Sequence, residues 1–205
     1  MTDNSAPDFA ARVRRAFENV SRWMNRCAGW VYVGAAIFIT ADVLSRQFLG
    51  FSSKSTVELT GYLLAIGISW GLGFALVERV HVRIDVLINR LPLALRQYLH
   101  AFALLLLAVF AGFLAWASIM LVLESLEFHA TDLSPLSVPL AIPQGIWALG
   151  LCAFFLLTVL MVLEVALMLL KNDGEGVDQM LGARGYEEET EEALEAVAEA
   201  KKADR

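Results

Sequence analysis

The sequence is poor in the residues that build metal centres, disulfide frameworks and soluble surfaces. Its 205 residues include two cysteines and three histidines, and only 19% of the residues are charged. Cys27 opens one apolar stretch and Cys152 lies inside another, so their spacing fits neither a zinc motif nor a disulfide framework. The chain also has no Walker motif, no dinucleotide-binding glycine pattern and no Ser/His/Asp arrangement. These absences argue against an enzyme and against an energised pump that works alone.

Apolar residues are abundant, and they are grouped in long runs. They make up 58% of the chain, and the mean hydropathy is +0.59. The charges crowd into residues 1–26, residues 78–96 and the part after Lys171, whereas a soluble domain distributes more charge over its surface. Between these regions run four apolar stretches, and each is long enough to cross a bilayer, which takes roughly 20 residues per helix. We therefore predict an all-α membrane protein with four transmembrane helices, at about residues 26–49, 56–77, 98–128 and 140–170.

The polar ends divide the chain into three parts. Apolar sequence starts only near Cys27 and no short apolar core with a small-residue cleavage site precedes it, so a signal peptide is not expected. We interpret residues 1–25 as a basic amphipathic cytoplasmic leader, although a solvated leader with some helical bias fits equally well. Residues 26–170 are the predicted membrane domain, and residues 171–205 are an acidic cytoplasmic tail. The net charge of −6 comes largely from this tail, and no nucleic-acid partner is expected.

The distribution of arginine predicts the orientation of the spans. Cytoplasmic connections of membrane proteins carry an excess of Lys and Arg. Arginine is concentrated in the leader and in the second connection, whereas the third connection has none and the first has only Arg46 and Lys54 near it. We therefore expect both termini on the cytoplasmic side. The arginines that decide this are Arg12, Arg14, Arg15, Arg22 and Arg26 in the leader, and Arg79, Arg83, Arg90 and Arg96 in the second connection.

The second connection, ERVHVRIDVLINRLP at 78–92, combines charge with an apolar stripe. Ile84, Leu87, Ile88 and Leu91 recur at helical spacing among charges that cannot lie in hydrocarbon. A loop that only crosses water has no need of such a stripe. We therefore predict an interfacial amphipathic helix at about residues 80–96 on the cytoplasmic membrane surface. The residues assigned to it are Arg79, His81, Arg83, Ile84, Asp85, Leu87, Ile88, Arg90, Leu91 and Pro92.

Charged residues near the outer ends of spans one and two are candidate contacts. Asp42 and Arg46 lie one turn apart, so they can pair along span one. Charges inside a membrane are costly and suggest a function. A structural pair or a contact to a partner helix explains these two residues better than a transported-ion site. Ser55 and Glu58 fit a capping box at the start of span two, with Glu58 reaching back to the cap.

A row of small residues follows on span two. Gly67 and Gly71 form a GxxxG step that continues to Ala75. Small residues at this spacing let another helix backbone approach closely. Packing within the four-helix unit is the simpler explanation, and contact with a partner subunit is the alternative. The candidate partner contacts are Asp42, Arg46, Glu58, Gly67, Gly71 and Ala75.

The remaining polar residues form no recognisable catalytic, metal or haem site. A haem in a helical bundle needs histidines that face each other at one depth, but His100 and His129 lie ~43 Å apart along a straight helix. Glu164 lies near the inner end of span four, where it can pair with a cytoplasmic arginine or reach headgroups. An acidic cluster at the outer end of span three fits a solvated helix end better than a cation site or an outside partner. Its members are Glu124, Glu127, His129 and Asp132.

Three stretches, in this order and between four spans, carry a family resemblance. They are ADVLSRQFLG at 41–50, STVELTGYLL at 55–64 and ERVHVRIDVLINRLP at 78–92, with a weaker fourth, SPLSVPLAIPQGIW, at 134–147. The chain resembles the small membrane subunit of tripartite ATP-independent periplasmic (TRAP) transporters, the DctQ type, over roughly residues 30–170. Val80 stands where the family often has glycine.

The resemblance implies a non-translocating scaffold in the bacterial inner membrane. The expected partners are a larger, elevator-type membrane subunit, a periplasmic substrate-binding protein and phospholipids. The complex is expected to import organic acids with a sodium gradient, and the ion is expected to bind to the large subunit, so no cofactor is expected here. The alternatives are a membrane-anchor subunit of a respiratory complex, which the histidine positions disfavour, and a stand-alone channel, which the lack of a polar stripe disfavours.

Overall fold

The computed structural model describes residues 5–78, 92–132 and 137–182, together with residue 194. Within these residues the chain forms five helices, α1 Ser5–Leu49, α2 Thr56–Val77, α3 Leu93–Glu127, α4 Ala141–Leu170 and α5 Gly174–Leu181. The first four are each long and apolar enough to cross a membrane. The prediction of an all-helical protein with four candidate spans is confirmed.

Helix α1 is continuous through the predicted leader and the predicted first span. Its 45 residues correspond to roughly 68 Å of helix, whereas a bilayer core is about 30 Å thick. The continuity has a simple local cause. Pro7 lies in the first turn, where proline is tolerated, and the first glycine of α1 is Gly29. The leader and the first span are therefore one rigid element.

Buried positions follow a seven-residue spacing on several helices. On α1 the buried residues Ser21, Ala28, Ala35 and Asp42 lie seven apart. This spacing keeps one narrow stripe of a helix facing its neighbour. Most of the buried residues in these stripes are small, which lets membrane helices approach closely. The same spacing relates Leu104, Ala111, Ser118 and Ser125 on α3, and Leu151, Thr158 and Val165 on α4.

Helix α4 is central, because it contacts each of the other four helices. Helix α3 packs mainly on α4 and α5, and α1 packs on α2 and α4. The buried core lies toward the end of the bundle where α4 ends and α5 begins. Its members are Leu76, Leu104, Ala111, Phe154, Leu157, Met161, Val165, Val177 and Leu181.

Two glycines set how closely the helices approach. A Cβ atom on Gly73 would lie 2.7 Å from Ser21 Oγ of α1. On Gly150 of α4, a Cβ atom would lie 2.5 Å from Ser69 Oγ and 2.9 Å from the backbone carbon of Ser69. Any larger side chain at Gly150 would force α2 and α4 apart, since a backbone atom cannot rotate away.

Helix α5 is a short element within the predicted acidic tail. Asp173 accepts a hydrogen bond from the backbone N–H of Gly176 at 2.9 Å, which caps the start of the helix. Val177 and Leu181 are one turn apart and are fully buried in the core. Apolar burial therefore holds residues 174–181 against the bundle. The tail beyond residue 182 lies outside the described residues, apart from exposed Leu194.

Most of the predicted surface helix, residues 79–91, also lies outside the described residues. Pro92 is described, and residues 93–96, which the prediction placed in the surface helix, belong to the first turn of α3. Pro92 precedes the first turn of α3 in an extended conformation, and its carbonyl accepts hydrogen bonds from the backbone N–H groups of Leu95 and Arg96. Proline suits this position because it lacks the N–H that a helix start leaves unpaired.

Candidate functional site

The contacts of charged side chains in the bundle gather at its two ends. We call the end with the α1–α2 and α3–α4 connections the hairpin end. The opposite end, where the charged part of α1, the start of α3 and helix α5 meet, is the cap end.

Asp42 is the centre of the hairpin end. Its carboxylate accepts hydrogen bonds from the Arg46 guanidinium at 2.9 Å and from the backbone N–H of Ser53 at 2.8 Å. The hydroxyl of Ser52 donates to it at 3.5 Å, and the Thr56 side chain also bonds to it. The carboxylate thus joins α1 to the connection and to the first turn of α2. The predicted pairing of Asp42 with Arg46 is present.

The exposures of Asp42 and Arg46 show which of the two residues has the structural role. Asp42 is 7% exposed, whereas the Arg46 side chain is 63% exposed. The carboxylate is therefore the structural member of the pair. It also lies at the amino terminus of α2, where a negative charge is favourable. Arg46 bonds to Ser52 Oγ at 3.1 Å and leaves part of its guanidinium facing outward.

The prediction of a capping box at the start of α2 is wrong, because its two side-chain hydrogen bonds do not form. Ser55 occupies the cap position, and its carbonyl accepts from the Leu59 N–H at 3.0 Å, but its hydroxyl makes no cap bond. Among the described residues neither Ser55 Oγ nor Glu58 Oε2 has a hydrogen-bond partner. The physical reason is that Asp42, from the neighbouring helix, bonds to the connection and the first turn instead.

The small-residue face of α2 packs within the chain. A Cβ atom on Gly67 would collide with the ring of Tyr32 on α1, and one on Gly71 would lie 3.6 Å from Asn25 Oδ1. Ala75 follows on the same helix and is half-buried. Helix α1 therefore already occupies much of this face at Gly67 and Gly71, and a contact between this face and a partner subunit stays a prediction.

A second polar contact closes the hairpin end. The Tyr62 hydroxyl of α2 donates to Asp132 Oδ2 at 2.5 Å, which ties α2 to the α3–α4 connection. Glu124, Glu127 and His129 of the predicted acidic cluster are exposed. Among the described residues, no three His, Cys, Asp or Glu side chains come together as a metal site. Asp132 thus has a structural contact that its sequence position did not indicate.

The cap end contains ion pairs between helices. Arg14 of α1 pairs with Glu18 and also lies 2.5 Å from Glu164 of α4, close enough for an ion pair although the angles are not those of a hydrogen bond. Of the two possibilities given for Glu164, the pairing with an arginine is the one that the structure contains. Arg22 lies 3.6 Å from Glu78 at the end of α2. These pairs fasten the charged part of α1 to the bundle.

Asp178 fastens α5 to the start of α3. Its carboxylate bonds to the Arg96 guanidinium, and its Oδ1 lies 3.7 Å from Nε2 of the buried His100. His100 therefore faces a carboxylate of α5. Sequence reasoning missed this contact, although Val177 and Leu181 at one-turn spacing after a capping Asp173 were a usable signal.

Taken together, these contacts join helices to one another and to their connections. Four long apolar helices with polar ends define a multi-pass membrane protein. Residues 35–168, more than half of the chain, match the family described as the DctQ component of tripartite ATP-independent periplasmic transporters. Neither a curated protein nor a solved structure matches the chain.

The chain belongs to the DctQ family, and the resemblance read from its motifs is confirmed. It is therefore a component of a TRAP transporter and a multi-pass protein of the inner membrane. The family is one of transporter components and not of enzymes. Its members function together with a large membrane subunit and a substrate-binding protein.

Proposed function

We propose that this chain is the non-translocating scaffold of a sodium-driven, binding-protein-dependent transporter that imports organic acids. In this proposal it anchors and stabilises a large subunit that moves substrate by an elevator-like motion. The large subunit binds the sodium ion and the substrate.

The observation that supports this role best is the state of three buried hydroxyls well inside the spans, since the buried Thr60 Oγ1 and Gln144 Oε1, which have no hydrogen-bond partner among the described residues, lie in the first two turns of α2 and α4. Ser69 donates to the Ile66 carbonyl at 3.0 Å, Ser118 to the Ala115 carbonyl at 2.8 Å, and Thr158 to the Phe154 carbonyl at 2.7 Å. Each bond returns to the backbone of the same helix. A transport path needs polar groups that are free to replace the hydration of the substrate or ion. Each of these three hydroxyls already donates to a carbonyl of its own helix, so its proton is not free for a substrate. Each of the four spans is also one uninterrupted helix.

A scaffold in an elevator mechanism must stay fixed while its partner slides. Long helices that extend beyond the bilayer and are tied together at both ends resist tilting. Helix α1 has this length, and the contacts of Asp42, Tyr62, Arg14 and Asp178 tie the ends. The proposed surface helix between α2 and α3 would add an anchor in the headgroup region.

We further propose that both termini face the cytoplasm. The arginine-rich leader and second connection support this orientation through the excess of positive charge. In this proposal the hairpin end faces the periplasm, and the connections 50–55 and 129–138 are candidate contacts for the substrate-binding protein. The outward part of Arg46 is a candidate contact to a partner at this end.

Co-purification tests the scaffold role. The chain is expressed with its large subunit and binding protein, with an affinity tag on the chain, and uptake of an organic acid is measured under an imposed sodium gradient. We expect the large subunit to co-purify at a fixed ratio, and deletion of this chain to abolish uptake.

Two core variants separate scaffolding from translocation. Thr158→Val and Ser118→Ala remove buried hydroxyls without removing a contact between helices, so uptake should stay close to that of the wild type. A scaffold role is ruled out if the chain purifies alone while uptake survives its deletion. Loss of uptake in these variants, with the complex intact, would instead indicate a translocating role.

A further inference from the structure

Arg26 differs from the neighbouring arginines in having no partner among the described residues. Arg14 pairs with Glu18 and Glu164, and Arg22 pairs with Glu78. Arg26 lies on the same helix, one turn beyond Arg22, and its side chain is exposed. An arginine guanidinium stays charged and presents five N–H donors, so an exposed one at a membrane surface can bind an external anion.

The surroundings of Arg26 place it at the boundary between headgroups and hydrocarbon. The apolar part of α1 begins directly after it, at Cys27. Trp23 and Trp30 lie three residues before it and four after it, so all three share one face of the helix. These tryptophans are 60% and 76% exposed, and tryptophan is enriched at membrane–water interfaces.

The helix surface below Arg26 is open. A Cβ atom on Gly29 would meet no other atom within 4 Å, and Val33, seven residues beyond Arg26, is exposed. The face therefore has a cation at the top, indole rings on either side and an apolar strip beneath. The cation, the indoles and the apolar strip follow the same order as the phosphate, the glycerol region and the acyl chain of a phospholipid.

We propose that this face of α1 is a binding site for an anionic phospholipid. The phosphate binds the Arg26 guanidinium, the indoles of Trp23 and Trp30 flank the glycerol region, and one acyl chain lies over Gly29 and Val33. Charge complementarity favours an anionic lipid over a zwitterionic one, because Arg26 has no carboxylate partner among the residues that the structure describes. The site does not depend on the scaffold role proposed above.

Fluorescence quenching tests the site, because Trp23 and Trp30, which flank it, are themselves fluorescent. The full chain is reconstituted in phosphatidylcholine vesicles that contain a minor fraction of either brominated phosphatidylglycerol or brominated phosphatidylcholine. Bromine quenches tryptophan only on contact. We expect the quenching to show about a fivefold preference for the anionic lipid. A preference of about this size corresponds to the attraction of one basic residue to an anionic membrane surface. Trp23→Phe combined with Trp30→Phe should remove most of this selective quenching, because both indoles flank the proposed site.

Charge variants identify the residue responsible. Arg26→Gln should abolish the preference, and Arg26→Lys should keep most of it. Arg22→Gln is the matched control one turn away, and because Arg22 already faces Glu78 the preference should change little. Gly29→Leu fills the open strip without an internal clash and should weaken quenching by both lipids.

Three outcomes would overturn the proposal. Equal quenching of the wild type by both lipids would show ordinary lipid contact only. A preference that survives Arg26→Gln would assign it to other arginines of α1. A loss of co-purifying large subunit in Arg26→Gln, with no lipid preference in the wild type, would show that a partner carboxylate occupies this face.

Discussion

The two ends of the bundle are held together in different ways. At the hairpin end, the buried carboxylate of Asp42 gathers partners that all lie within a short stretch of sequence, up to Thr56. At the cap end, ion pairs join residues that are far apart in sequence, such as Arg14 with Glu164 and Arg96 with Asp178. The hairpin end is centred on a local network around Asp42, with the Tyr62–Asp132 hydrogen bond as a long-range contact, whereas the cap end is an assembly of distant segments.

This difference indicates where the stability of each end comes from. The pairs at the cap end are partly exposed, and exposed ion pairs contribute little. The cap end therefore depends on apolar burial by α5. At the hairpin end the buried charge is Asp42, so we expect that end to depend on this carboxylate. The Asp42 network also lies inside the family match at 35–168, whereas α5 and the charged part of α1 lie outside it.

The largest effect is expected from the apolar residues of α5. Leu181 is 1% exposed within the core, and a buried Leu→Ala substitution costs about 2–5 kcal/mol of unfolding free energy. Leu181→Ala should lower the free energy of unfolding in detergent by an amount in this range and speed hydrogen exchange of the α5 amides.

Leu170→Ala is the matched control for this variant. Leu170 is 81% exposed at the end of α4, so the same chemical change there creates no cavity. Equal losses of stability in the two variants would contradict the docking of α5 as the main support of the cap end.

An intermediate effect is expected at Asp42. Asp42→Ala removes the acceptor for the Ser53 N–H and for the Arg46 and Thr56 side chains, and should lower the melting temperature by several degrees. Arg46→Ala should have a clearly smaller effect, because the Arg46 side chain is mostly exposed. Thermal unfolding in detergent compares the two, and a larger effect of Arg46→Ala would reverse the assignment of Asp42 as the structural member.

The smallest effect is expected for the pair between Arg22 and Glu78. Its atoms are 3.6 Å apart and the Arg22 side chain is half exposed, so Arg22→Gln should cost less than about 1 kcal/mol, and this cost should disappear at high salt. Arg96→Gln, in the less exposed pair with Asp178, should cost more and retain its effect in salt. Unfolding measured at low and high salt decides between them.

The sequence predicted the hairpin end better than the cap end. Asp42 and Arg46 are one turn apart on a helix, so their pairing follows from helical geometry alone. That Asp42, and not the Ser55–Glu58 box, would bond to the start of α2 could not be predicted, because it depends on how the connection folds back. The docking of α5 was missed for the same reason, since Asp178 meets Arg96 and His100 only after α3 and α4 have packed.

The sequence by itself determined the class of the protein, its four apolar helices and its family. These follow from hydropathy and from motifs that are local in the chain, because a membrane requires each spanning segment to satisfy its own backbone. The tertiary structure decided how the ends are closed. It placed α1 against the glycines of α2 and brought α5 onto α3. These outcomes depend on the shapes of facing surfaces, which exist only once the helices are packed.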